Sequence, residues 1–205
     1  MNNVISFPHL GDYYIPISYL VKKITNTKVI IPPKITKKTI TLGAKYSPDY
    51  VCVQFKYILG NYIEALVKWA NILLQAGGGC RYGYYAELQE KILQDLGYNF
   101  TFINLIHNNH ISLRNVYKFA KKCNPKLKII PFIYYLINTA LMIIIMDKLA
   151  KYPRENMGFE NEKNSFKNVT NSLKRNLEYK KITPMYLIKL YKKYKKKYKD
   201  ITVNK

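Results

Sequence analysis

In the first half of the chain, short apolar runs alternate with stretches whose apolar residues recur every three to four positions, and few folds accommodate that alternation. It is the pattern of β-α-β units and a mainly parallel sheet, in which connecting helices bury both faces of each strand. Residues 4–7 read as a strand closed by Pro8, residues 17–24 as a helix, and residues 29–31 as a strand stopped by Pro32-Pro33. Residues 36–44 are expected to be helical, Ser47-Pro48-Asp49 a turn, and residues 50–53 (Tyr-Val-Cys-Val) a buried strand. An amphipathic helix over 55–69 follows, with Tyr57, Ile58, Tyr62, Ala65 and Leu66 on its apolar face, and then a strand over 72–76. The run Gly77-Gly78-Gly79-Cys80-Arg81-Tyr82-Gly83 is predicted to be irregular, residues 84–96 a helix ended by Gly97, and residues 100–105 a last strand. The expected fold class is therefore α/β, a mainly parallel sheet of about four or five strands with flanking helices, plus a basic helical carboxyl-terminal extension.

Three regions are expected: an α/β domain over 1–127, an apolar helix over 128–150, and a basic helical tail over 151–205. Residues 129–146 are apolar apart from Pro131, Asn138, Thr139 and tyrosine hydroxyls. A membrane span needs about 20 apolar residues, so length favours a core or interface helix over a membrane helix. The segment 186–198, lysines interleaved with tyrosines, is expected to form a solvated, fraying terminal helix, with contact to an anionic surface as the alternative.

The net charge of +22 points first to nucleic acid or an anionic membrane. Against this, only Arg81, Arg114, Arg154 and Arg175 among the 34 basic residues are arginine, the side chain that reads phosphates and bases in bidentate fashion. Neither nucleic acid nor membrane is the expected partner. The charge is uneven, with 17 basic against 5 acidic residues over 148–205. The first residues show no basic, apolar secretory leader, and the chain is expected to be cytoplasmic. Three cysteines in a reducing compartment are expected as free thiols or metal ligands.

Cys52 and Cys80 lie 28 residues apart, about one crossover unit, so in a parallel sheet both are expected at the same carboxyl edge. Gly77, Gly78 and Gly79 let backbone approach a bulky group and offer amide donors, and Arg81 adds positive charge beside Cys80. The glycine spacing matches neither a dinucleotide fingerprint nor a phosphate-binding loop ending in Lys-Ser/Thr. On residues alone, two inert buried thiols and a cluster-binding pair remain alternatives. His9, Asp12 and Lys56 are expected near strand ends and could line the same cleft, although a turn histidine bonded to backbone is the ordinary role of His9. Lys56 or Arg81 could meet the phosphates of a thioester cofactor, or be surface charge. His107 and His110 are expected as loop residues without a third ligand, and Cys123 falls at a helix end.

A series of landmarks carries a resemblance. They are Phe7-Pro8-His9-Leu10-Gly11-Asp12-Tyr13-Tyr14, Pro32-Pro33, Thr36-Lys37-Lys38-Thr39 and Gly43-Ala44-Lys45-Tyr46-Ser47-Pro48-Asp49, then Cys52-Val53-Gln54-Phe55-Lys56, Leu59-Gly60-Asn61-Tyr62-Ile63-Glu64-Ala65 and Gln75-Ala76-Gly77-Gly78-Gly79-Cys80-Arg81-Tyr82-Gly83-Tyr84-Tyr85. Over about 150 residues the chain resembles the amino-terminal part of the 2-hydroxyacyl-CoA dehydratase and CoA-enzyme activase-related iron-sulfur family. The resemblance implies a 4Fe-4S cluster with Cys52 and Cys80 as ligands, and electron transfer or radical dehydration of an acyl-CoA by a lyase-type component. It also implies an ATP-dependent activase partner and a carboxyl-terminal half or partner subunit supplying a further cysteine. Gln54 and Ala86 stand where relatives often carry proline and glycine. The alternatives are a non-catalytic basic binding protein for nucleic acid or an acidic partner, and an inactive remnant.

Overall fold

The computed structural model describes residues 3–75, 85–107 and 110–204. The chain divides into two compact units, one of residues 1–14 and 21–127, the other of residues 15–20 and 128–205.

The first unit is built on a four-stranded, all-parallel sheet in the order β2-β1-β3-β4. Its strands are β1 (Val4–Ser6), β2 (Lys28–Val29), β3 (Ile72–Gln75) and β4 (Thr101–Asn104). Ile5 is in register with Val29 on one side and Ile72 on the other, and Leu73 with Phe102. All four residues of β3 are buried, as the unbroken apolar run at its centre requires. The expected α/β class is what the molecule has, although its strands are shorter than the apolar runs in the sequence.

The helices are α1 (Tyr14–Thr25), α2 (Lys37–Tyr46), α3 (Val53–Val67), α4 (Tyr85–Asp95) and α5 (Leu113–Cys123). From β1 the chain steps to β2 through α1, and then back across β1 to β3 through α2 and α3. Right-handed crossovers in opposite directions put α1 on one face of the sheet and α2, α3 and α4 on the other. On that second face Phe55, Leu59, Tyr62, Leu66 and Leu93 form one buried cluster with Leu73. The Tyr62 hydroxyl donates to the Leu74 carbonyl at 3.0 Å.

Two helices in this layer cross at near-contact. A Cβ at Gly43 of α2 would stand 1.7 Å from the Lys56 carbonyl oxygen, and one at Gly60 of α3 would stand 2.0 Å from the Thr39 carbonyl oxygen. Thr39 also donates through Oγ1 to Glu64 Oε2 at 3.0 Å, and its amide completes a reciprocal cap with Thr36.

The strand expected over 50–53 does not form. Cys52 takes extended backbone at the cap position of α3, the helix begins at Val53, and Tyr50 and Val53 are exposed. The apolar run is only a connector after the Pro48 turn, and such a run reads the same in a strand or at a helix start. Beyond β4, a two-residue hairpin of β5 (Ile106–His107) and β6 (His110–Ile111) pairs antiparallel, with His107 in register with His110. These histidines were expected in loop, and their backbones are instead paired.

The second unit is helical: α6 (Ile129–Asn156), α7 (Ser165–Tyr179) and α8 (Pro184–Lys199), joined by residues 15–20 of α1. Among the described residues, α6 is the one helix long and apolar enough to cross a membrane. The tail is not the solvated, fraying helix expected, because Leu187, Leu190, Tyr194 and Tyr198 of α8 are buried. Tyr194 Oη bonds Ser172 Oγ at 2.7 Å, Tyr198 Oη bonds Thr170 Oγ1 at 2.7 Å, and the Tyr198 ring stacks on Tyr152 at 6.1 Å. Aromatic side chains one turn apart form an apolar seam that the surrounding lysines hide in the sequence.

Gly60→Ala and Gly43→Ala are expected to destabilise the protein by about 2 kcal/mol or more, because each methyl meets backbone that cannot step aside. Gly158→Ala, where a Cβ meets nothing within 4 Å, is expected to stay within about 0.5 kcal/mol of wild type. Urea unfolding followed by circular dichroism compares the three.

Candidate functional site at the carboxyl edge of the sheet

The order β2-β1-β3-β4 has its topological switch between β1 and β3, where the two outgoing connections part in opposite directions. In open parallel sheets, ligands bind outside the carboxyl ends of the strands at such a point. The described residues that flank it here are those following Ser6, and Gln75 at the end of β3.

The first flank is held from α3. The His9 amide donates to Asn61 Oδ1 at 3.0 Å, while Asn61 Nδ2 donates to the Pro33 carbonyl at 3.2 Å. Asn61 is 2% exposed, so one buried amide ties the segments after β1 and β2 to the same helix. Gly11, at φ +55° with open space around its Cα, lets the chain turn into α1. His9 bonds through its backbone, and its buried Nδ1 has no partner among the described residues, unlike the backbone-bonded ring expected. Burial lowers the His9 pKa and Lys34 lowers it further, with Asp12 opposing.

On the other side, Gln75 and α4 are tied together. Gln75 closes β3, is fully buried, and donates through Nε2 to Gln89 Oε1 of α4 at 2.8 Å. Gln89 Nε2 is buried without a partner among the described residues. Tyr85, the first residue of α4, meets the Phe55 ring edge-on at a centroid distance of 5.0 Å. Gly77, Gly78, Gly79, Cys80 and Arg81 lie outside the described residues, with Cys80 five positions from Gln75 and five from Tyr85.

Cys52 belongs to this edge. Since Tyr62 reaches Leu74 and α3 runs antiparallel to β3, residues ten positions earlier lie beyond the carboxyl end of the strand. Cys52 is exposed and precedes the first turn of α3, with its side chain making no cap bond. Free amides at that helix end favour an anionic neighbour. Lys56 is one turn along on the same helix face. The sequence expectation of a shared edge rested on a strand at 50–53, and Cys52 reaches the edge as a helix cap instead.

Cys123 lies elsewhere. Next to it, Asn124 Nδ2 donates to the Ile24 carbonyl at 3.5 Å, at the end of α1 that leads into β2. That is the amino edge, opposite Cys52, and burial pushes the Cys123 thiol up. Among the described residues no three His, Cys, Asp or Glu side chains converge to hold a metal. A cavity of about 490 Å³ lined by Lys38, Leu42, Glu64, Val67 and Tyr98 lies between α2 and the distal part of α3.

Asn61, Gln75 and Gln89 were missed from the sequence. A signal existed for Asn61, an amide between Leu59 and Tyr62 in an otherwise apolar helix stretch. Comparison with family models, curated proteins and solved structures finds no match to this chain.

A histidine held neutral by burial makes stability depend on pH with a defined sign. The unfolded imidazole titrates near 6.5 and the folded one lower, so the unfolded state takes up more protons on acidification. The contribution from His9 is present above pH 6.5 and falls as pH drops below it towards the folded value. Urea midpoints measured at neutral and mildly acidic pH are expected to fall more for wild type than for His9→Gln.

Proposed function

We propose that the carboxyl edge of the first unit is an iron-sulfur site, and that the protein acts in electron transfer to, or radical dehydration of, an acyl-CoA-like substrate. On this reading Cys52 and Cys80 supply thiolate ligands to a 4Fe-4S cluster, with Gly77, Gly78, Gly79 and Arg81 around it. The observation that carries the reading is an exposed thiol at a helix start, at the switch-point edge, beside Gln75 and Tyr85. When bound, the cluster supplies one-electron chemistry.

The residues present fit a ligand role at this edge. An exposed thiol can bind metal without disturbing the core, unlike the half-buried Cys123 at the other edge. Buried polar atoms such as His9 Nδ1 and Gln89 Nε2 carry a desolvation cost that a polar ligand would relieve. Lys56, one turn from Cys52, is placed for the phosphates of a thioester cofactor. Two cysteines leave the ligand set short, so the reading includes a further ligand from a carboxyl-terminal half or partner subunit. An ATP-dependent activase as electron donor and a cytoplasmic, reducing setting complete it. In such a pair this chain is a component of a lyase-type dehydratase or of its activase system.

The test is anaerobic reconstitution of the chain with ferrous iron and sulfide. Wild type and Cys123→Ser are expected to gain broad visible absorption and bound iron, and Cys52→Ser/Cys80→Ser to lose both. Folded wild type that takes up no cysteine-dependent iron overturns the proposal.

A second reading rests on α8. Its buried seam of Leu187, Leu190, Tyr194 and Tyr198 pins the helix so that Lys189, Lys192, Lys193, Lys196 and Lys197 share its exposed surface. This favours a basic module for nucleic acid or an acidic partner. If it holds, binding to duplex DNA weakens steeply and log-linearly with salt and survives loss of Cys52 and Cys80, as gel-shift titrations at several salt concentrations would reveal.

A further inference from the structure

We propose that the cleft between α2 and the distal part of α3 binds a small aromatic carboxylate, with the indole of Trp69 as its cover. The cleft encloses about 490 Å³, the size of a small-molecule site and too little for a macromolecule. Its wall on α2 is the stripe Lys38, Leu42 and Tyr46, one residue per turn, and Ile63, Glu64 and Val67 line it from α3. Leu96 and Tyr98, after α4, close a third side. It lies about 20 Å along α3 from Cys52, so it is separate from the carboxyl edge of the sheet and does not depend on a cluster there.

The lining selects the occupant. Ile63 is buried, and Leu42, Tyr46, Leu96 and Tyr98 are half-buried, so an apolar body gains contact here and a flat ring meets two phenol rings. Lys38 and Lys68 are exposed and make no ion pair among the described residues. Glu64 is the one acid in the lining, and its Oε2 already accepts from Thr39 Oγ1 at 3.0 Å. On α4, Asp95 is paired with Lys91 at 2.9 Å, and Glu87 and Glu90 lie more than a turn back from Leu96 on other faces. Helix α2 carries no acid and adds Lys37 and Lys45, the latter 5.0 Å from the centre of the Tyr46 ring. Even with exposed Asp49 three residues past Tyr46, cations outnumber acids around the cleft. An apolar ring bearing one carboxylate matches that balance.

Trp69 is a second, independent observation. Helix α3 ends in a turn in which the Ala70 amide donates to the Ala65 carbonyl at 3.0 Å and the Trp69 amide to the Leu66 carbonyl at 2.9 Å. That turn sets Trp69 at φ +68°, the left-handed conformation that glycine fills without strain, and leaves the residue 86% exposed. Stability does not account for a tryptophan there, because its Cβ strains the backbone and its ring buries little area. Trp69 directly follows Val67 and Lys68, both in the lining, and its Cα stands within about 7.6 Å of the Val67 Cα. An indole laid over the mouth buries its face on the ligand ring, a contact the free protein lacks.

The test is calorimetric titration of the full chain with phenylbutyrate, alongside phenylbutylamine and phenylbutanol, which keep the ring and chain and change the charge. Wild type is expected to bind the acid one to one, roughly five- to tenfold more tightly than the alcohol or the amine. The fluorescence of Trp69, the sole tryptophan, is expected to change along the same isotherm. Lys38→Gln/Lys68→Gln is expected to bind the acid no better than the alcohol. Trp69→Gly is expected to raise the urea midpoint by relieving the strained φ, while weakening the acid about threefold or more. No saturable binding of the acid, equal binding of all three compounds, or a preference for the acid that survives the double lysine substitution overturns the proposal. So does a Trp69→Gly chain that binds the acid as wild type does or that loses stability.

Discussion

The near-contact crossing of α2 and α3 fixes most of the architecture of the first unit. Two glycines, one on each helix, remove the only atoms that would hold the backbones apart, and each faces a carbonyl of the other helix. Packing at that distance locks the longitudinal position of α3 as well as its angle, because a slide in either direction drives a Cα into a neighbouring turn. Thr39, capping α2 and donating to Glu64, makes the same contact polar as well as steric. The register of α3 then has consequences at both of its faces. One presents Leu59, Tyr62 and Leu66 to the sheet, and Asn61, next to Gly60, reaches the segments that leave β1 and β2.

The amino-terminal end of α3 therefore occupies a determined place over the carboxyl edge. Exposed Cys52, half-buried Lys56 and buried Phe55 occupy its first turn, and Phe55 holds Tyr85 where the chain re-enters α4. The edge is rich in buried polar groups for so small a sheet. Ser6 bonds the Ile30 carbonyl and Gln75 bonds Gln89 of α4, and burial lowers the pKa of His9 against the opposing charge of Asp12. Buried amides and an exposed thiol make this edge polar where fully apolar strand ends would not be.

In the second unit, hydroxyls take the part that apolar packing takes in the first. Tyr194 and Tyr198 put aromatic area into the core and satisfy their oxygens on Ser172, Asn176 and Thr170 of α7. Lysines around them lie over aromatic rings, with Lys197 5.5 Å from the centre of Tyr194, so charge and core alternate along one helix without conflict. Glu160 closes the unit by accepting from the amides of Asn164 and Phe166 at the start of α7, while its backbone bridges to Val203.

The α/β class, the parallel sheet, most helices and the apolar stretch of α6 were legible in the sequence, because each is written in local periodicity and punctuated by proline, glycine or a threonine cap. Residues 50–53 were misread because four apolar-rich residues carry no period that separates a strand from a helix entry. The tail was misread because hydropathy averages over lysines that point outward, while burial depends on which face of the helix meets a partner. For the candidate site, the sequence by itself determined the chemical types available: two cysteines 28 residues apart, a glycine run and a histidine after the first strand. Only the tertiary structure decided that Cys52 is a helix cap, that Cys123 stands at the opposite edge, and that Asn61 and Gln89 belong to the site. Those are consequences of strand order and of a helix crossing set by contacts between residues far apart in the chain, which no local pattern encodes.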